Sequence, residues 1–222
     1  MRSVRAPGRH LAWALFGALL GGCAPYNADE LVASSLGEPR IQLPCQMPGV
    51  YTMDSAQVSF VLTDLTTEQL ETGGALTGRV LHIDLLWLPK AGKSPIDPEA
   101  INTTIRLLVF AEGEVGLYGG GGFAWPHDRP GEAEMELDLV GSNMTLMASS
   151  PGFHDLLSPA QILGRIDARY DAAATRSLRR AASQRLTNDL KQVLWVGEPM
   201  AEDVANLTAA SAGNALVPRP SL

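Results

Sequence analysis

The sequence predicts a mainly β fold, an antiparallel β-sandwich or barrel of about seven to eight strands with a C-terminal amphipathic α-helix. Three observations predict it. Short runs in the middle of the chain alternate apolar and polar residues with a period of two, the pattern of strands with one face on a core and one in water. Turn-forming clusters rich in Gly, Pro, Asn and Asp separate those runs. After Asp171 the period changes to that of a helix.

The first 22 residues read as a cleavable leader. Arg2, Arg5 and Arg9 form a positive flank, and Leu11 to Leu20, "LAWALFGALL", is an apolar run of ten residues. A membrane-spanning helix needs about 20 apolar residues, so this run fits a secretory signal better. Gly21, Gly22 and Cys23 follow. The segment "LGGC", Leu20 to Cys23, resembles the lipobox of bacterial lipoproteins. That resemblance implies cleavage before Cys23, diacylation (palmitate-type chains) of Cys23 and anchoring in a membrane. Ala24 stands where an aspartate tends to hold enteric lipoproteins at the inner membrane, so the resemblance implies the outer membrane. More than one acyl chain gives stable anchoring where one is marginal.

Loss of the leader removes three of the 17 Lys and Arg residues and none of the 24 Asp and Glu residues, leaving 14 against 24, a net charge of −10. Such an acidic chain lacks the clustered cations that phosphate contacts require, which argues against nucleic acid as a partner. Residues 23–48 carry several prolines and no sustained period and read as a lipidated N-terminus and tether. Cys45 would have no intramolecular partner beside a lipidated Cys23; it reads as a small buried residue, a free thiol or an intermolecular bridge.

The β domain is expected over 49–170. Val58, Phe60 and Leu62 share a face; so do Leu81, Ile83, Leu85 and Trp87. Ile101, Thr103, Ile105, Leu107 and Val109 form another alternating set. In "AEMELDLV", Ala133, Met135, Leu137 and Leu139 point one way while Glu134, Glu136 and Asp138 point the other; Met144, Leu146 and Ala148 follow. Ile162, Gly164, Ile166, Ala168 and Tyr170 alternate with Arg165, Asp167 and Arg169. A helix over 171–197 is expected from Leu178, Ala182, Leu186, Leu190 and Leu194, capped by Asp171 and stopped by Gly197 and Pro199. Residues 198–222 read as a flexible tail.

Few residues suggest chemistry. Gly119–Gly122 is followed by Phe-Ala-Trp-Pro, not by the helix and Lys-Ser/Thr of a phosphate loop. The run reads as a turn, bulge or close-packed corner after Val115 and Leu117, with a flap over a pocket as the alternative. "AGKSP", Ala91 to Pro95, lacks the upstream glycine of such a loop. His82 and Asp84 lie two apart on one strand face, a spacing that suits two metal ligands, although that face is expected to meet water. His127 and His154 sit in loops, and neither an HExxH nor a GxSxG motif occurs. Glu132, Glu134, Glu136 and Asp138 read as the wet side of a strand. Arg165, Arg169, Arg176, Arg179, Arg180 and Arg185 gather in 21 residues and are the candidate partner-binding surface, for an envelope protein or cell-wall polymer. No catalytic set and no cofactor are expected.

"GRIDARYD" followed by an Arg-rich helix resembles uncharacterised secreted lipoproteins. The functional reading is a membrane-anchored envelope lipoprotein, non-enzymatic, acting as a structural or adaptor domain. The alternative is a carrier of a small apolar ligand: lipobox, many strands and late helix are similar to bacterial lipocalins, whereas "MPGVYTM", Met47 to Met53, lacks their Gly-x-Trp.

Overall fold

A computed structural model describes residues 30–54, 57–89 and 101–195. The leader, Cys23, the Ala91 to Pro95 segment and the tail from 198 lie outside the described residues. Nine strands and two helices occur among the described residues: β1 (Val32–Ser35), β2 (Gln42–Pro44), β3 (Gly49–Asp54), β4 (Gln57–Thr63), α1 (Thr67–Glu71), β5 (Gly78–Leu85), β6 (Thr103–Ala111), β7 (Glu114–Pro126), β8 (Glu134–Ser149), β9 (Ala160–Tyr170) and α2 (Ala172–Leu190). The fold is mainly β, as the alternation predicts. No described helix is long and apolar enough to cross a membrane.

Strands β3 to β9 follow one another antiparallel, and β9 returns to pair with β3, so the sheet closes on itself. The closing pair is parallel and short, Val50 with Arg169 and Tyr51 with Tyr170. Beyond it β1 takes over the free edge of β9, with Val32 opposite Leu163, and β2 pairs with β1. Closure removes most open strand edges. Nine strands exceed the upper expectation by one, and β1 and β2 come from residues 30–48, read from the sequence as tether. Leu31, Ala33, Cys45 and Met47 are buried in the same core as the barrel wall, so this part of the tether is structure.

The inward residues match the predicted alternation. Val58, Phe60, Leu62, Leu81, Ile83, Leu85, Ile105, Leu107, Met135, Leu137, Leu139, Ile162 and Ile166 form one core, joined by Tyr51 and Tyr118. Tyr51 and Phe60 stack at 5.4 Å. Both ends of the barrel are tied shut. At one end the Tyr51 hydroxyl donates to the Glu132 carbonyl and accepts from Gly131 N at 3.2 Å. At the other, the Tyr118 hydroxyl donates to Asp155 Oδ1 at 2.8 Å, while Asp155 accepts from Leu157 N and Ser158 N, both at 3.0 Å.

The glycine run lies inside β7, which continues to Pro126 rather than turning. A side chain at Gly120 would enter the Asn143 carbonyl, one at Gly122 the backbone of Ser142, and one at Gly121 would come 2.7 Å from Thr103 O. The run lets β7 lie hard against β6 and β8 and carries a bulge between Gly121 and Phe123. The bulge and close-packing expectation holds; the turn and flap expectations do not. Likewise "VGSN" is a bulge within one continuous β8, not a turn between strands.

Helix α2 starts as expected, with Asp171 Oδ1 accepting from Ala174 N at 2.9 Å. Ala182 and Leu186 of the predicted stripe are fully buried against Val61, Val80, Leu108, Phe110 and Leu117 on the outer wall of the barrel. The helix ends at Leu190, short of the expected 197, because Lys191 adopts a left-handed conformation (φ 57°) and turns the chain back. Trp195 then tucks against the wall, and Ser183 Oγ donates to its carbonyl.

Candidate functional site

Two groups of ionisable side chains stand out, both built by strand register. The first lies between α2 and the outer wall. Ser59 of β4 is opposite Asp84 of β5, and His82 of β5 is opposite Arg106 of β6, so four polar side chains share one patch. On an uncovered barrel that face would meet water, the sequence-based expectation for His82 and Asp84. Here α2 and Trp195 cover it: His82 is 0% exposed and Asp84 6%. The expectation of a wet face therefore fails, because the cover comes from a helix about a hundred residues away in sequence.

Asp84 is the centre of the group. Ser59 Oγ donates to its Oδ1 at 2.5 Å, and Arg106 Nη1 donates to its Oδ2 at 3.3 Å. His82 Nε2 lies 3.3 Å from Oδ1, and Arg179 Nη1 of α2 donates to Ser59 Oγ at 3.3 Å. Burial opposes the charge on Asp84, but His82, the Ser59 hydrogen bond and the Arg179 guanidinium outweigh it and hold the carboxyl below the usual range. Burial pushes the His82 imidazole down, toward the neutral form. Its Nδ1 lies 3.5 Å from Arg106 Nη1, as an unprotonated acceptor would, and the ring packs 4.8 Å from Trp195.

Serine, histidine and aspartate together invite comparison with a hydrolase, but the order is wrong. A nucleophilic serine needs the histidine between itself and the carboxylate. Here the carboxylate stands in the middle and takes the serine proton donor itself. The group neutralises a buried charge and fastens α2 to the wall.

The second group is on the surface at the β7–β8–β9 wall. His127 Nε2 is 2.7 Å from Asp138 Oδ2 and 3.9 Å from Glu136 Oε1, and Arg165 Nε bridges Asp138 Oδ1 at 3.0 Å and Glu136 Oε1 at 3.2 Å. Burial raises the Asp138 carboxyl somewhat, but Arg165 and His127 together hold it below its ordinary value. The three groups offer one ligand atom each within 4.8 Å, enough for three corners of a metal site. Arg165 already occupies the centre between the carboxylates, so a cation would have to displace it. Below them Asp128, Glu134, Glu136, Asp167 and Arg169 line an open groove of about 360 Å³.

The six predicted arginines are spread over two faces rather than gathered on one. Arg165 joins the surface group, Arg169 reaches Asp171 at 3.4 Å and Arg176 reaches Asp54 at 3.1 Å. Arg179 points at the buried group, and Arg185 is buried, paired with Asp189 at 2.7 Å and donating to Gly74 O at 2.6 Å. Arg180 is half-buried on α2. Cys45 is a free, fully buried thiol, and burial raises it to about 11. Sequence reasoning missed the Asp84-centred group. Its only signal was Ser59, His82, Asp84 and Arg106 alternating with apolar residues, which reads equally well as a solvated face.

No known protein family, curated protein or solved structure matches the chain.

Proposed function

We propose that the chain is a membrane-anchored envelope lipoprotein, held by lipid on Cys23 at the outer membrane, whose barrel serves as a non-enzymatic structural or adaptor domain. The observation that carries the non-carrier half of this reading is the lumen. Tyr51, Phe60, Leu81, Ile83, Ile105, Leu107 and Tyr118 fill it from the wall, and hydrogen-bonded loops tie both ends. A carrier needs an enclosed space of about 300 Å³ or more with a way in, and the near-complete burial of these lumen side chains favours the adaptor reading over the lipocalin-like one. The Asp84-centred group, with its carboxylate between serine and histidine and its cover of α2, supports a structural role over catalysis.

The anchor half is supported by the leader and "LGGC". Growth with labelled palmitate tests it: the wild-type chain takes up label and Cys23→Ser does not. Equal uptake by both ends the reading. Crosslinking of the anchored protein in its native envelope then identifies what it holds; a neighbouring envelope protein or cell-wall polymer is the expected product.

A further inference from the structure

We infer that one wall of the barrel, formed by Trp87, Ile101, Phe123, Trp125 and Val140, rests on the surface of the bilayer that holds the lipid anchor. The inference rests on the Cys23 anchor proposed above.

Among the described residues this wall is apolar and partly exposed. Phe123 and Trp125 are two apart on β7 and face outward, since Ala124 between them is fully buried in the lumen. Val140 of β8 is directly opposite Phe123 and 58% exposed. Trp87 packs 6.1 Å from Phe123, which is 6.2 Å from Trp125. Ile101 adjoins them, its carbonyl accepting from Trp87 Nε1 at 3.1 Å, and is also exposed. Neither helix covers this end of the wall: α2 lies over the other end of β7, around Val115 and Leu117. Trp87, Ile101 and Val140 are exposed and Phe123 and Trp125 half-buried beside them; a contiguous apolar patch of this kind marks an interaction site. Tryptophan beside aliphatic residues is the composition of membrane-interface contacts.

The position of the N-terminus selects the occupant. Glu30, the first described residue, lies against Gly164 of β9: a side chain at Gly164 would meet the Glu30 carbonyl. Gly164 pairs with Leu139 of β8, the neighbour of Val140, and Val140 pairs with Phe123. At about 4.8 Å per strand spacing, Glu30 is roughly 10–15 Å from the aromatic wall. Strand β1 runs antiparallel to β9, so toward its N-terminus the chain heads to the end of the barrel that carries this wall. Cys23 is seven residues before Glu30, a reach of at most about 25 Å. An acylated Cys23 thus keeps the wall within a few nanometres of the lipid, where even weak contact is favoured by the high effective concentration of a tethered surface. Glu134, Glu136 and Asp138 nearby exceed Arg165 in charge, so the fitting surface has neutral, zwitterionic headgroups rather than anionic ones.

The test uses the lipidated full chain, extracted from membranes and returned to phosphatidylcholine vesicles. Cys23 carries lipid and Cys45 is buried, so a polarity-sensitive dye on Val140→Cys reports the wall alone. Leu156→Cys, 64% exposed in the loop that closes the opposite end, is the control. Expected is a blue shift and rise in emission at position 140 on vesicles relative to detergent, with no change at 156. Equal response at the two positions overturns the inference and leaves the anchor intact. Shielding of 140 in native envelopes but not in pure lipid means a protein covers the wall, and also overturns it. A chain that takes up no fatty acid overturns the anchor reading first, and this inference with it.

Discussion

Replacing Asp84 with asparagine keeps the shape of the side chain and removes its charge. In the folded protein that charge faces Arg106 at 3.3 Å, the Ser59 hydroxyl at 2.5 Å and, through Ser59, Arg179. Without it Arg106 loses its carboxylate partner and the Ser59 hydroxyl that accepts from Arg179 loses its charged acceptor, beneath the cover of α2 and Trp195. Removing one partner from a buried ion pair costs about 3–5 kcal/mol. The low end applies, about 3 kcal/mol, because the Arg106 side chain is 32% exposed and can turn toward water. With a urea slope of about 2 kcal/mol per molar, the unfolding midpoint falls by about 1.5 M. Trp195, its ring tilted against His82 at 4.8 Å, gives the fluorescence signal. Removing the excess cation as well, in Asp84→Asn/Arg106→Met, should recover more than about 1 kcal/mol of the loss. A midpoint for Asp84→Asn within about 0.3 M of wild type, with no coupling to Arg106, would refute the claim that this carboxylate fastens the helix.

Other consequences follow from the same geometry. Stability at acid pH should fall once pH drops below 6.5, because the unfolded chain takes up a proton on His82 that the buried ring resists. The slope approaches 1.4 kcal/mol per pH unit at most, about one proton, and His82→Gln should flatten that limb in pH-dependent urea titrations. At the alkaline side Tyr118 is raised above its ordinary 10.0 by burial and by Asp155, so folding loses stability as pH rises past 10.0. Tyr118→Phe should cost about 1 kcal/mol at neutral pH and weaken the alkaline loss. Gly120→Ala drives a methyl group into the Asn143 carbonyl and should cost upwards of about 3 kcal/mol, whereas Gly37→Ala, with open space around it, should stay within about 0.5 kcal/mol by the same denaturation assay. Cys45, raised to about 11 and fully buried, should react with iodoacetamide at pH 8 only on unfolding; prompt labelling of the native chain would contradict its place in the core.

Much of the barrel was legible because alternation is a local property. Met135, Leu137 and Leu139 point inward in the structure as they do in the pattern, and Asp171 caps α2 where its side chain and the following period say it should. What was illegible depends on contacts distant in sequence. Nothing around His82 and Asp84 announces that α2 will lie over them, so a two-sided burial of β4 and β5 reads as a one-sided one. Strands β1 and β2 are four and three residues long, with Pro39 between them and Pro44 ending β2, too short for a period to emerge. The glycine run signalled a close approach, but only the neighbours Ser142 and Asn143 tell that the approach is strand to strand. The aromatic wall draws Trp87, Ile101, Phe123 and Val140 from separate segments, and no single window of sequence contains it.

The most direct test of the account is the intact mass of the protein extracted from native membranes. The account predicts a polypeptide that begins at Cys23 and carries a diacylglyceryl group there. A chain that keeps residues 1–22, or one with an unmodified Cys23, would contradict it.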